Sequence, residues 1–223
     1  MKSKFSPPRL AAPAALAVFA ACAVSAQAAL DLDLAIGEDE SANLQWVNSN
    51  PANNNDIPIN ATDNWNSLAT KMSSYVKRLD STTFEYKYKW ETDGKGLSHI
   101  IVELTPPSPS VYANEALFNA YKAGFSISDT LGSTVTIDYF EDDGNSQSNP
   151  QMPSKMFGVK LDLPQNTDAK VYEFSIRTSH SPVLGDFYAK DGKIDQNPVR
   201  AFNSGFTAND TDVEGNPLDH IIV

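Results

Sequence analysis

The sequence is poor in the residues that make redox and metal chemistry easy. It has one cysteine and three histidines in 223 residues. A single cysteine cannot close an internal disulfide, and it rules out a cysteine-rich zinc or iron–sulfur centre. Positive charge is scarce as well: 17 Lys and Arg against 28 Asp and Glu give a formal net charge of −11. A chain of that sign repels phosphate backbones, so nucleic acid is not an expected partner. No apolar run long enough to span a membrane occurs after the first 30 residues. Nucleophile elbows, phosphate-cradling glycine loops, dinucleotide fingerprints, internal repeats and heptads are also missing. What remains is ordinary for a folded globular chain, with 41% hydrophobic and 20% charged residues. The length suits one domain, or one and a half.

The first segment reads as an address. Lys2, Lys4 and Arg9 precede an apolar stretch from Leu10 to Val24, and Ala26-Gln27-Ala28 supplies a small-x-small cleavage site. Residues 1–28 are therefore expected to be a signal peptide. Cys22, in Phe19-Ala20-Ala21-Cys22, offers a rival reading as a lipidated first residue. The phenylalanine in place of a branched aliphatic favours simple cleavage. Cleavage after Ala28 would remove the only cysteine, three basic residues and no acid, leaving a more acidic chain from Ala29 to Val223. An exported chain without cysteine fits a bacterium better than a disulfide-stapled animal secretome.

Period-2 alternation dominates the rest. In Phe84-Glu85-Tyr86-Lys87-Tyr88-Lys89-Trp90-Glu91 the aromatics share one face and the charges the other. Asp93-Gly94-Lys95-Gly96 reads as a turn, its glycines accepting positive φ, and residues 98–104 as the returning strand of a hairpin. Residues 134–140, 157–163 and 170–177 read as further strands, and Leu30-Asp31-Leu32-Asp33-Leu34 as an edge strand. Trp65, Leu68, Met72, Tyr75, Val76 and Leu79 recur at helical spacing, which predicts a helix over 64–79, with a strand paired with 83–91 as the alternative, and another helical turn is expected over 114–121. The expected architecture is mainly β: an antiparallel, jelly-roll-like β-sandwich with one or two short helices. Its main domain would span 83–223, with 29–82 supplying an N-terminal strand and a helical segment packed on it.

The candidate chemistry is sparse. His99 and Ser98 are adjacent in a strand and point to opposite faces, so they make a poor dyad. His99 reads as a polar strand-start residue, and His180 as part of a loop. Asp210-Thr211-Asp212-Val213-Glu214-Gly215 opens like a calcium loop, with Asp219 nearby, but Ile221 occupies the twelfth position where a bidentate acid belongs. Asp186, Asp191 and Asp195 form a second acidic run, and residues 141–145 a third. These runs read either as turn chemistry or as weak calcium sites, and the sequence requires no cofactor. Of the three tryptophans, Trp46 in a polar context is the candidate for stacking on a sugar, while Trp65 and Trp90 read as core. Any pair among 28 acids could be proposed for glycosidase work, so that signal carries nothing.

Several runs carry a resemblance. Gly94-Lys95-Gly96-Leu97-Ser98-His99 with the following Ile-Ile-Val-Glu-Leu, Phe157-Gly158-Val159-Lys160-Leu161-Asp162, Gly185-Asp186-Phe187-Tyr188-Ala189-Lys190-Asp191-Gly192 and Ala201-Phe202-Asn203-Ser204-Gly205-Phe206 resemble bacterial secreted proteins of the exosortase-sorted, PEP-CTERM type. The resemblance covers roughly residues 84–223, and the 185–192 run, taken as a turn, is its most specific part. It implies a β-sandwich displayed on the cell surface or in a biofilm matrix, with exopolysaccharide as a partner and no catalytic residues. The sorting tail of that type does not follow Val223, which implies either release or a shortened sequence. The expectation is a non-enzymatic surface or matrix protein, with a carbohydrate-binding module as the alternative.

Overall fold

The computed structural model describes residues 46–49, 57–67, 69–142, 144, 148–194, 197–206 and 221–222. The signal-like segment with Cys22, the run Leu30–Leu34 and the 210–219 loop lie outside the described residues. The strands are β1 (Trp46–Ser49), β2 (Ile57–Ala61), β3 (Lys71–Arg78), β4 (Phe84–Glu91), β5 (His99–Glu103), β6 (Ser126–Asp129) and β7 (Thr134–Phe140). They continue with β8 (Met156–Asp162), β9 (Val171–Thr178), β10 (Leu184–Gly185), β11 (Phe187–Ile194), β12 (Asn197–Asn203) and β13 (Ile221–Ile222). The helical elements among the described residues are two short helices, α1 (Pro109–Tyr112) and α2 (Glu115–Lys122), and a 3₁₀ turn at Asp63–Trp65. No helix among the described residues is long and apolar enough to cross a membrane.

Eleven strands are linked in the order β6-β9-β4-β3-β1-β2-β12-β11-β5-β8-β7, while β10 pairs with β13 apart. The parallel β1–β2 pair joins two otherwise antiparallel halves. One core holds them together as the layers of a sandwich. Val76, Tyr86 and Trp90 of the first half share it with Ile100, Val102, Val159 and Phe187 of the second. Alternation explains this directly. On β4 the even positions Tyr86, Tyr88 and Trp90 are buried, and on β9 Tyr172, Phe174 and Ile176 are buried between exposed or half-exposed neighbours. β5 is buried at all five positions because it is covered on both faces. Ile100 and Val102 enter the main core, whereas Ile101 enters a smaller one with Met152, Met156, Tyr188 and Phe206. The mainly β, antiparallel sandwich with two short helices expected from the sequence is present. α2, capped by the Asn114 side chain accepting from the Leu117 N–H, covers the expected 114–121 segment.

Three local expectations are corrected. Residues 71–78 are not helical: they form β3, which pairs with β4 at eight successive positions from Lys71↔Glu91 to Arg78↔Phe84. Among the described residues of that stretch, only 63–65 make a helical turn. The 84–91 and 98–104 strands do not form a hairpin. β4 pairs with β3 and β9, and β5 with β11 and β8, so the intervening turn carries the chain from one layer to the other. Neither Gly94 nor Gly96 has positive φ. They are needed for close approach: an added Cβ would lie 2.2 Å from the Asn64 carbonyl oxygen at Gly94 and 2.6 Å from Asp168–Ala169 backbone at Gly96. Finally, the 185–192 run is no turn. From Phe187 onward it is strand β11, with a register shift between Lys190 and Lys193.

Candidate functional site

The outward positions of β3, β4, β9 and β6 form an open groove of about 680 Å³, lined among others by Tyr75, Lys77, Lys87, Lys89, Glu173 and Ser175. Cross-strand register sets its chemistry. Successive rows run Lys71↔Glu91, Ser73↔Lys89↔Glu173, Tyr75↔Lys87↔Ser175↔Ser128 and Lys77↔Glu85↔Arg177. Directly opposed side chains on one face are neighbours, so most cations here meet an acid across the ladder. The middle row is different: Lys87 stands between a tyrosine and a serine.

Glu85 anchors one end of the groove. Its Oε1 accepts from Arg177 Nε and Nη2, each at 2.8 Å, and its Oε2 lies 3.4 Å from Lys87 Nζ. Burial by itself would raise its pKa, but the Arg177 hydrogen bonds and the Lys87 charge outweigh burial and hold it below the ordinary value. Lys89 Nζ lies 2.9 Å from Glu91 Oε1, and that hydrogen bond first, with the nearby Glu173 charge, raises the lysine's pKa. Lys87 is the most available, with a side chain 60% exposed.

The residues singled out from sequence do not converge. Trp46 opens β1 opposite Ser74 in the register and is not among the residues lining this groove. Asp210, Asp212, Glu214 and Asp219 lie outside the described residues, as does Asp195. Asp143 lies outside them too, whereas Asp142, Asp186 and Asp191 have structural partners. Asp191 sits in β11, 3.6 Å from Lys95 Nζ, rather than in a loop. Asp142 accepts from the Gly144 and Gln151 N–H groups. No group of three or more His, Cys, Asp or Glu among the described residues could hold a metal ion.

Asp186 belongs to a buried polar knot. Asn203 Nδ2 donates to Asp186 Oδ1 at 2.6 Å, Asn203 Oδ1 accepts from the Phe187 N–H at 2.9 Å, and Glu103 Oε2 accepts from the Asp186 N–H at 2.9 Å. These three side chains tie β5, β11 and β12 together beneath the surface.

His99 does stand at the start of a strand, but it is only 3% exposed. Its Nδ1 is 3.8 Å from Asp162 Oδ1, too far for a hydrogen bond, and that oxygen is held by Lys160 Nζ at 2.9 Å. Burial, reinforced by the charges of Lys160 and Lys190, pushes its pKa well below the ordinary value against a smaller opposing effect of Asn149. His180 stacks on Phe125 with ring centroids 5.1 Å apart, and burial lowers its pKa too. A histidine kept neutral when folded but free to protonate when unfolded makes the unfolded state bind more protons below pH of about 6.5. Stability is therefore complete above that value and falls as pH drops toward the folded pKa. The urea midpoint is expected to decrease between about pH 7.5 and about pH 5.5, and His99→Gln should flatten that decrease. An unchanged slope in the variant would refute the assignment.

Helical spacing over 64–79 puts Tyr75 on an apolar stripe and so hides it as a site residue, whereas Lys87 stands on the charged face of 84–91 that the alternation already shows. The period-2 run Ser73, Tyr75, Lys77 between Met72, Ser74 and Val76 is the signal that points to Tyr75. Comparison of the chain with protein-family models, curated proteins and solved structures gives no match.

Proposed function

We propose that this chain is an exported, non-enzymatic protein of the bacterial cell surface or extracellular matrix, with the sandwich as a display and binding module. The observation that carries the reading is how the acid–base residues are used. His99, Glu103 and Asp186 are buried in packing roles, whereas the groove over β3, β4, β9 and β6 is an open, charged sheet face with a tyrosine. A surface built to touch an extended partner fits that division better than a site built to surround a reacting bond. The cleavage site at Ala26-Gln27-Ala28 supports export.

Fractionation of expressing cells with intact-mass analysis tests this reading. The expected species is extracellular or surface-bound and begins at Ala29. A species beginning at a lipidated Cys22 would keep the export and change the anchoring. A wholly cytoplasmic, full-length chain would overturn the proposal. The alternative, a carbohydrate-binding module, is favoured by Tyr75 on the groove floor beside Lys87 rather than by Trp46, since a half-exposed aromatic on a flat sheet face is a platform for a sugar ring.

A further inference from the structure

The outer face of β3, β4 and β9 departs from the charge of the whole molecule. It gathers five cations, Lys71, Lys77, Lys87, Lys89 and Arg177, against three acids, Glu85, Glu91 and Glu173; β6 adds a fourth acid to the groove, Asp129, whose carboxylate accepts from the Leu131, Gly132 and Ser133 N–H groups. The chain as a whole carries 17 basic residues against 28 acids. A locally positive face on a negative molecule concentrates anions there and disfavours them elsewhere. Two of the acids, Glu85 and Glu91, are already engaged by Arg177, Lys87 and Lys89. At the centre, Lys87 is flanked by Tyr75 and Ser175, with Ser128 beyond.

These groups define a ligand chemistry. Lys87 and Lys89 project from the same face two residues apart, about 7 Å along the strand. Their ammonium groups are compact point charges that accept a carboxylate without demanding fork geometry. Tyr75 offers a ring face with a polar tip. The hydroxyls of Ser175, Ser128 and Thr130 line the same groove and can exchange hydrogen bonds with sugar hydroxyls. The cationic surface is short, so it suits a polymer of low charge density. A nucleic acid, with a charge about every 1.7 Å of duplex, would extend beyond the patch onto negative surface.

We propose that the groove over β3, β4, β9 and β6 binds an acidic polysaccharide, with Lys87 and Lys89 pairing with ring carboxylates and Tyr75 stacking on a sugar face. This rests on the reading of the sandwich as a binding module in the matrix, and it commits that reading to one ligand class.

The test uses the purified full-length chain and polygalacturonate as the probe, with dextran as the uncharged control and duplex DNA as the competing polyanion. Polygalacturonate is expected to bind, more weakly as salt rises, while dextran and DNA bind at least tenfold less tightly, about the effect of one charge-assisted hydrogen bond. Lys87→Glu should weaken binding by about tenfold or more. Tyr75→Ala should weaken it by a similar factor without changing the salt dependence, since it removes stacking and no charge. Lys155→Glu, an exposed charge reversal beside Tyr139 on the other half of the sandwich, should leave binding unchanged. Equal loss in Lys155→Glu would reduce the effect to overall charge and overturn the proposal. So would equal binding of DNA or dextran, or no binding by a chain whose thermal unfolding is intact. The two readings fail separately: binding by a chain found in the cytoplasm sinks only the export proposal, and an exported chain that ignores polygalacturonate sinks only this one.

Discussion

Trp90→Ala is expected to lower the free energy of unfolding by about 3–5 kcal/mol, a large share of the 5–15 kcal/mol typical of a domain. Trp90 is fully buried at the meeting of three elements. Its ring centroid lies 4.8 Å from that of Trp65 in the 3₁₀ turn and 6.4 Å from that of Phe187 on β11, in the opposite layer. Trp65 is fixed in turn by its indole N–H donating to the Lys95 carbonyl at 2.7 Å. Truncation at 90 therefore opens a cavity walled by both layers and by the segment that crosses between them, where collapse is hardest. Trp90→Phe should cost much less, because the Trp90 indole N–H meets no hydrogen-bond partner among the described residues and phenylalanine removes that unmet donor. Urea denaturation of both variants decides the matter. A loss below about 1 kcal/mol in Trp90→Ala would mean that the layers do not close on this ring.

Asn203→Asp should be nearly as costly and should carry a pH signature. The substitution keeps the shape but replaces the Nδ2 donor, 2.6 Å from Asp186 Oδ1, with a second anionic oxygen. Two carboxylates would then face each other where Asn203 is fully buried and Asp186 is 1% exposed. Leaving a buried charge uncompensated costs about 3–5 kcal/mol. Burial and the like charge both raise the new group's folded pKa above its unfolded value of about 3.9. The penalty is thus absent below that value and grows as pH rises toward the folded pKa. At about pH 5 the variant should recover part of its stability, because a protonated carboxyl can again donate to Asp186. Denaturation midpoints of wild type and variant across pH 5 to about 8 measure this. A penalty independent of pH would show that packing, not charge, holds the knot.

The same contrast runs through the whole molecule. Strands β4, β7, β8 and β9 are legible in the sequence because each has one wet and one dry face, or enough β-branched and aromatic residues to demand a sheet. Burial of alternate residues is a local property. β3 was not legible in that way. Met72 and Val76 satisfy a 3.6-residue period with Trp65, Leu68, Tyr75 and Leu79, and a 2-residue period only with the polar Ser74 between them. Eight successive pairings with β4, plus β1 on the other side, decide for the strand, and those partners are distant facts.

Sheet partnership was the other hidden quantity. Asp93-Gly94-Lys95-Gly96 announces a change of direction, but not which strand the returning chain will join. Close packing of Gly94 on the Asn64 backbone and the Trp65 ring, and of Gly96 on the 168–169 backbone, sends it across the sandwich. The candidate groove depends on both points. Tyr75 and Lys77 come from a strand hidden behind helical spacing, and Lys87 and Lys89 from a strand whose wet face is plain but whose neighbours are not.

By itself, the sequence determined the scarcity of thiols and histidines, the acidic excess, the address-like first segment and the β-rich class. Those follow from composition and from periods of a few residues. Only the tertiary structure decided that the charged faces of β3, β4 and β9 form one surface, that His99 and Asp186 are enclosed, and that the 185–192 run is a core strand. Such outcomes depend on contacts between residues far apart in the chain, which the burial of two sheets on each other selects and no local pattern encodes.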